Sequence, residues 1–247
     1  MRVAALIPAA GRGRRMIQDT PKVFLPLGGI PLLAHTLKKF ETCPLVQEVL
    51  LLVPDEEGIR LAEAIVQRFG FQKVLRVIPG GPERQDSVYR GLKELAPTTD
   101  IVVIHDGARP FVPPELIGQV VEETRIWKCV VAAIPVRDTI KEVSESGQVL
   151  KTLDRNLLWE IQTPQGFAYP LLLEAHEKAR EERYYGTDDA VLIERLGAQV
   201  KVVLGSRGNI KMTAPEDLVL GEALLELSRR ESSPRSAVRP PREKGRS

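Results

Sequence analysis

Four small residues, Ala9, Ala10, Gly11 and Gly13, follow the apolar run Val3–Ile7 and Pro8, and Arg12, Arg14, Arg15 and Lys22 crowd the same stretch. Residues without bulk let backbone N–H groups approach a ligand. Cations clustered beside such a loop hold a polyphosphate. The stretch is therefore expected to bind a nucleoside triphosphate and to stabilise charge while one of its phosphates is transferred. Met16 occupies the place of a third small residue, so the dinucleotide fingerprint fails, and without a Gly-Lys-Ser/Thr there is no Walker loop. A solvated turn would use the same residue types. What favours a ligand is the position directly after the first strand, where open α/β sheets bind theirs.

Further polar groups fall at loops and element ends. Gly80-Gly81-Pro82-Glu83-Arg84-Gln85-Asp86-Ser87 joins a strand to a helix. Its glycines admit backbone contacts and Ser87 could donate to a base or sugar, although Asp86 and Ser87 would equally serve as helix caps. His105-Asp106-Gly107-Ala108-Arg109-Pro110 follows the strand Ile101–Ile104. An aspartate there is well placed to hold Mg²⁺ against phosphate oxygens. A metal-dependent phosphohydrolase would need more histidines than His35 and His176 supply. Arg109 could bind a second anion or belong to a structural network. Arg137-Asp138-Thr139, Asp154-Arg155-Asn156, Gln162-Thr163-Pro164-Gln165, Thr187-Asp188-Asp189 and Gly208-Asn209-Ile210-Lys211 complete the set. Each has a plain reading: a turn at Asp138-Thr139, an N-cap at Thr187, a surface charge at Lys211. Together they indicate a site.

The elements that must position these groups alternate regularly. Strands are expected at residues 3–7, broken at Pro8, and at 46–53, 73–78, 100–105 and 129–136, and helices at 32–42, 56–69, 84–95 and 113–127. This rhythm means right-handed βαβ crossovers and an α/β fold, a Rossmann-like, mostly parallel sheet flanked by helices. From Thr139 to Leu153 two short alternating runs flank a Ser-Glu-Ser-Gly turn, a β-hairpin that projects as an arm, with the arm region at about 137–160. An extended segment at 157–169, helices at 170–182 and 187–196, a strand at 199–204 and a helix from Pro215 to about Leu227 close the fold. Residues 1–228 are expected to form one domain.

Bulk properties set limits. At 247 residues, 43% hydrophobic and 28% charged, the composition is that of a soluble globular protein. No apolar run suits a membrane span, and Arg2 leads straight into a strand rather than a signal sequence. Cys43 and Cys129 support neither a disulfide framework nor a zinc site, so a reducing, cytoplasmic setting is expected. Seven Arg/Lys and two Glu from Arg229 to Ser247 give that tail +5 of the chain's net +2, leaving the body at −3. The Pro/Ser/Arg-rich tail, 229–247, is expected to be disordered, and the basic balance is no sign of a nucleic-acid partner.

The motifs Pro8-Ala9-Ala10-Gly11-x-Gly13-x-Arg15-Met16 with Pro21-Lys22, Gly80-Gly81 to Ser87, His105 to Pro110, Val136 to Thr139, Asp154 to Trp159, Thr163-Pro164-Gln165, Thr187 to Ala190 and Asn209 to Lys211 occur in one order. From Val3 to Leu227 the chain resembles the 2-C-methyl-D-erythritol 4-phosphate cytidylyltransferases. The resemblance implies CTP and methylerythritol phosphate as substrates, Mg²⁺ as cofactor, and a homodimer interlocked through the hairpin arms. It assigns Ala9, Ala10, Gly11, Gly13, Gly80, Gly81, Ser87, Asp106 and Gly107 to the nucleotide, with Asp106 on the metal. Arg15 and Lys22 would stabilise the transition state. Arg109, Thr139, Arg155, Thr163, Thr187 and Lys211 would surround the polyol phosphate, Arg155 and Lys211 fixing the incoming phosphate, with Thr139 and Arg155 serving the partner subunit's site. Val23 stands where the family usually has glutamine and Pro82 where it often has aspartate. The neighbouring readings are a ribitol-5-phosphate cytidylyltransferase and a non-catalytic nucleotide-binding module.

Overall fold

The computed structural model describes residues 1–11 and 21–232. The expected strands and helices are present. Strand β1 (Val3–Pro8) is followed by a 3-10 turn at Lys22–Phe24, a two-residue pair β2 (Pro26–Leu27) and β3 (Ile30–Pro31), and helix α1 (Leu32–Thr42). Then come β4 (Glu48–Val53), α2 (Glu56–Phe69), β5 (Val74–Pro79), α3 (Arg84–Glu94), β6 (Ile101–Ile104), α4 (Pro114–Trp127) and β7 (Cys129–Pro135). The hairpin β8 (Lys141–Val143) and β9 (Val149–Thr152), a 3-10 turn at Arg155–Leu157, and the long β10 (Trp159–Ala168) interrupt the rhythm. Helices α5 (Tyr169–Glu181) and α6 (Ala190–Arg195), β11 (Lys201–Leu204) and α7 (Pro215–Ser232) complete the order.

Seven strands form one sheet in the order β11-β7-β10-β6-β1-β4-β5. All run parallel except β10, which is antiparallel to both β6 and β7. The period of two along β1 divides the core. Val3, Ala5 and Ile7 face one side with α1, α2 and α4, while Ala4 and Leu6 face the other with α3, α5 and α6. Chain order reverses at β1, whose neighbours β4 and β6 lie on opposite sides. Such a reversal opens a crevice beyond the carboxyl ends of the strands, where the loops after β1, β5 and β6 converge.

Local chemistry explains the element ends. Asp55 caps α2 by accepting the Gly58 N–H at 3.0 Å, and Gly70 ends that helix in the left-handed region at φ 66°. At α3 the cap is Glu83, and Asp86 reaches back to accept the Glu83 N–H at 3.3 Å, so neither Asp86 nor Ser87 is the N-cap. Thr187 is not the cap of α6 either. Asp188 accepts the Val191 N–H at 3.1 Å, and the helix starts at Ala190. Helix α7 runs to Ser232, past the expected end near Leu227 and into the first residues assigned to the tail. Residues 233–247, the rest of that tail, and Gly13 and Arg15 of the first loop lie outside the described residues. Among the described residues no helix is long and apolar enough to cross a membrane.

Candidate active site

Two cavities open at the carboxyl ends of the strands and meet at one carboxylate. The larger, about 780 Å³, is lined by Ala9, Ala10 and Gly11 after β1, Gly80 to Arg84 and Ser87 after β5, and Lys22, Asp106 and Lys211. The smaller, about 410 Å³, is lined by Arg109, Gln162, Thr163, Gln165, Thr187, Asp188 and Glu194. Arg84, Asp106 and Lys211 line both.

The nucleotide-side loops are shaped by close backbone packing. Ala9 donates to the Leu52 carbonyl at 2.8 Å, which pins the loop to β4. A Cβ on Gly80 would stand 2.7 Å from that of Ala10, and one on Gly81 only 2.3 Å from Cβ of Asp86. Gly80 therefore lets the two loops approach each other, and Gly81 lets its loop close onto the first turn of α3. The Ser87 hydroxyl accepts the Gly81 N–H at 2.9 Å and donates to the Glu83 carbonyl at 3.1 Å, so it already holds the loop it was expected to assist. Gly107 is buried behind Ala9, donating to the Pro8 carbonyl at 3.0 Å, and lines neither cavity.

Asp106 is held by three cations. Lys211 Nζ lies 2.7 Å from Oδ2, Arg84 Nε 3.1 Å from Oδ1, and Arg109 Nε 3.8 Å from Oδ2. Burial opposes ionisation, but Arg84, Lys211 and Arg109 outweigh it and keep the carboxyl well below the usual carboxylate range. Arg84 also reaches Asp189 at 2.6 Å, and the pull of Asp189 and Asp106 outweighs burial to raise its pKa. Asp189 in turn accepts from His176 Nε2 at 3.2 Å.

The backbone beneath Asp106 is fixed by a buried relay. His105 Nε2 faces the Arg109 carbonyl at 3.1 Å and must donate, which leaves Nδ1 as the acceptor for the Thr163 hydroxyl at 3.0 Å. That hydroxyl accepts the Asp106 N–H at 3.1 Å. Burial lowers the His105 pKa to about 4, so the imidazole is neutral at pH 7. The register of β10 shifts between Ile161 and Gln165, and this irregularity turns Gln162 and Thr163 toward the site. Asn209 Nδ2 bonds the Thr163 carbonyl at 2.7 Å, and Arg109 Nη1 bonds the Asn209 carbonyl at 2.7 Å.

Of the residues singled out in the sequence, Ala9, Ala10, Gly11, Lys22, Gly80, Gly81, Ser87, Asp106 and Lys211 gather at the first cavity, and Arg109, Thr163, Thr187 and Lys211 at the second. Thr139 and Arg155 line neither. Arg155 sits at the base of the arm, donating to the Arg137 carbonyl at 2.9 Å. Arg84 and Gln85 were not singled out, because the partners that tie them to the second cavity's loop, Asp189 for Arg84 and Tyr184 and Gly186 for Gln85, lie 105, 99 and 101 positions along the chain. Their only signal was membership of the Gly80–Ser87 run.

A model of the family "IspD: 2-C-methyl-D-erythritol 4-phosphate cytidylyltransferase" matches residues 3–227. A protein of that name from Pelotomaculum thermopropionicum is 47% identical over 225 residues, 91% of this chain and 94% of that protein. The crystal structure of 4-diphosphocytidyl-2C-methyl-D-erythritol synthase from Anaerococcus prevotii superposes with a TM-score of 0.82 at 31% identity, covering 91% of this chain and 96% of that one. The Thermus thermophilus 2-C-methyl-D-erythritol 4-phosphate cytidylyltransferase superposes at 0.76 with 35% identity, over 92% and 100% of the two chains.

Proposed function

The chain belongs to the 2-C-methyl-D-erythritol 4-phosphate cytidylyltransferase family, and from that premise we propose that its larger cavity takes CTP and its smaller one the acceptor phosphate. The enzyme transfers CMP from CTP to 2-C-methyl-D-erythritol 4-phosphate, forming 4-diphosphocytidyl-2-C-methyl-D-erythritol and pyrophosphate. The observation that carries the division is the shared wall: Asp106, Arg84 and Lys211 face both cavities, so a phosphorus atom held there is reachable from each side.

The acceptor is a phosphate monoester whose second pKa is about 6, so near pH 7 it is mostly dianionic and needs no general base. A neutral His105 bonded on both ring nitrogens fits that lack of demand. An acceptor oxygen forms a bond to the α-phosphorus of CTP as the bond to the bridging oxygen of pyrophosphate breaks. What the protein must supply is in-line placement and relief of repulsion between two anions. Lys22 and, in the first loop, Arg15 would neutralise the α-phosphate and the departing pyrophosphate. Lys211 and Arg109 would receive the incoming phosphate, and Thr187 its hydroxyl groups.

Among the described residues no three His, Cys, Asp or Glu side chains converge to cage a metal. One ionised carboxylate facing a cavity is nonetheless what Mg²⁺ asks of a protein when phosphates and water complete its shell. Asp106 would hold the ion by exchanging one of its present contacts with Lys211, Arg84 or Arg109 for it, and the ion when bound would supply charge neutralisation at the phosphate oxygens.

The arm supports a homodimer reading. Val143, Val149, Leu150, Leu157, Trp159 and Ile161 are all exposed, with Leu157 at 79%. Thr139 and Arg155, outside both cavities of their own chain, would then complete the partner subunit's acceptor site. The buried free thiols Cys43 and Cys129 suit a reducing, cytoplasmic setting. Pyrophosphate release from CTP should require methylerythritol phosphate and be far slower with ribitol 5-phosphate. A faster rate with ribitol 5-phosphate would move the assignment to the ribitol enzyme, and no release with either would leave a binding module.

A further inference from the structure

The first turn of α3 is tied to the nucleotide loop on one side and to the loop before α6 on the other. On the first side, Ser87 accepts from Gly81 and Asp86 accepts from Glu83. On the second side Gln85 makes two hydrogen bonds to main chain. Its Nε2 donates to the Tyr184 carbonyl at 2.9 Å, and its Oε1 accepts the Gly186 N–H at 2.9 Å. Arg84 and Asp86 add side-chain contacts on either flank, to Asp189 at 2.6 Å and to the Tyr185 hydroxyl at 3.2 Å. Gln85 is 8% exposed and lines neither cavity. The residues next along the clasped loop, Thr187 and Asp188, do line the smaller one.

A loop of irregular backbone has no ladder to set its position, so its register comes from such side-chain bonds. We propose that Gln85 is a positioning residue for the acceptor: its side-chain amide holds the Thr187–Asp189 loop in register with the nucleotide loop. This rests on the reading of the smaller cavity as the acceptor site. Arg84 and Gln165 also hold this loop, but through the side chains of the buried Asp189 and of Asp188, and Asp86 reaches only the exposed Tyr185 hydroxyl. The paired bonds of Gln85 fix the main chain itself, because donor and acceptor must meet two main-chain groups two residues apart. A shift of that loop would move Thr187 and Asp188 relative to Lys211, while the Gly80–Gly81 loop would keep its own bonds to Ser87.

The test is steady-state kinetics of the full chain with CTP and methylerythritol phosphate, each varied against saturating partner. Gln85→Met conserves volume and removes both bonds. It should raise the acceptor KM about tenfold, which two net hydrogen bonds can account for, and leave the CTP KM within about twofold. Gln85→Glu can still accept from Gly186 but sets a buried carboxylate oxygen against the Tyr184 carbonyl, and should raise the acceptor KM at least as far. It also carries the test alone if the methionine variant does not fold. An unchanged acceptor KM in either folded variant overturns the proposal. So does an equal rise in both KM values, or a lowered melting temperature with kinetic constants that only scale with the folded fraction. Failure of the unsubstituted protein to turn over these substrates would instead sink the functional reading on which the proposal depends.

Discussion

Charge placed in advance is the chemistry this site offers, and single residues test it. Replacing Lys22 by Ala should lower kcat by about two to four orders of magnitude, the loss expected of a preorganised cation aimed at developing charge. Arg15→Ala should do the same, and near-normal pyrophosphate release from either variant would remove it from the catalytic set. Lys211→Met takes away the nearest partner of Asp106, at 2.7 Å. Its expected signature is a fall in kcat together with weaker acceptor use, read in the same assay. The thiols give a prediction of another kind. Burial, with Asp188, Glu194 and Asp189 nearby, pushes the Cys129 thiol up to about 12, and Cys43 is also buried. The folded protein at pH 8 should therefore show no reaction with Ellman's reagent, and two equivalents should appear on denaturation. Fast labelling of native protein would show that one of these walls opens.

Elements rather than residues decide how near the loops come. A methyl group on Gly81 would fall 2.3 Å from Cβ of Asp86 and 3.0 Å from that residue's carbonyl carbon, so the loop or the first turn of α3 must shift. Gly81→Ala should cost about 1–3 kcal/mol of stability, the usual price of overpacking, and raise the CTP KM; calorimetry and kinetics on one preparation check both. At this scale the sequence was informative where periodicity is long. Helices α1 and α2 occupy the residues their spacing predicts, since five or more apolar positions recur along each. The pair Pro26–Leu27 and Ile30–Pro31 escaped because two-residue strands carry no period. The extended stretch after the arm was legible as a strand, but its antiparallel direction was not, because direction is decided by pairing with β6 and β7. The same holds for the site. Ala9 to Gly11, Asp106 and Lys211 were visible as residue types in order, whereas the ion pair of Arg84 with Asp189 and the bonds of Gln85 depend on a segment about a hundred positions away.

For the whole molecule, the proposed dimer sets how many chains build one site. With Thr139 and Arg155 carried on the arm, a Lys22→Ala protein and an Arg155→Ala protein should each be nearly inactive. Mixed and allowed to exchange, they should recover about a quarter of wild-type activity, because half the dimers are mixed and each has one working site. No recovery on mixing, or a monomer by sedimentation, would show that each chain works alone. Deleting residues 233–247 should change neither assembly nor rate. Asp106, Arg84 and Lys211 stand in the wall that the two cavities share. On the proposed assignment the finished molecule, a nucleoside at one end of a diphosphate and a sugar alcohol at the other, would lie across that wall and fill both halves. Departure is then all-or-none, fresh reactant of either kind waiting for the same vacancy. A two-headed compound with an uncleavable bridge should exploit this by competing with both substrates at once.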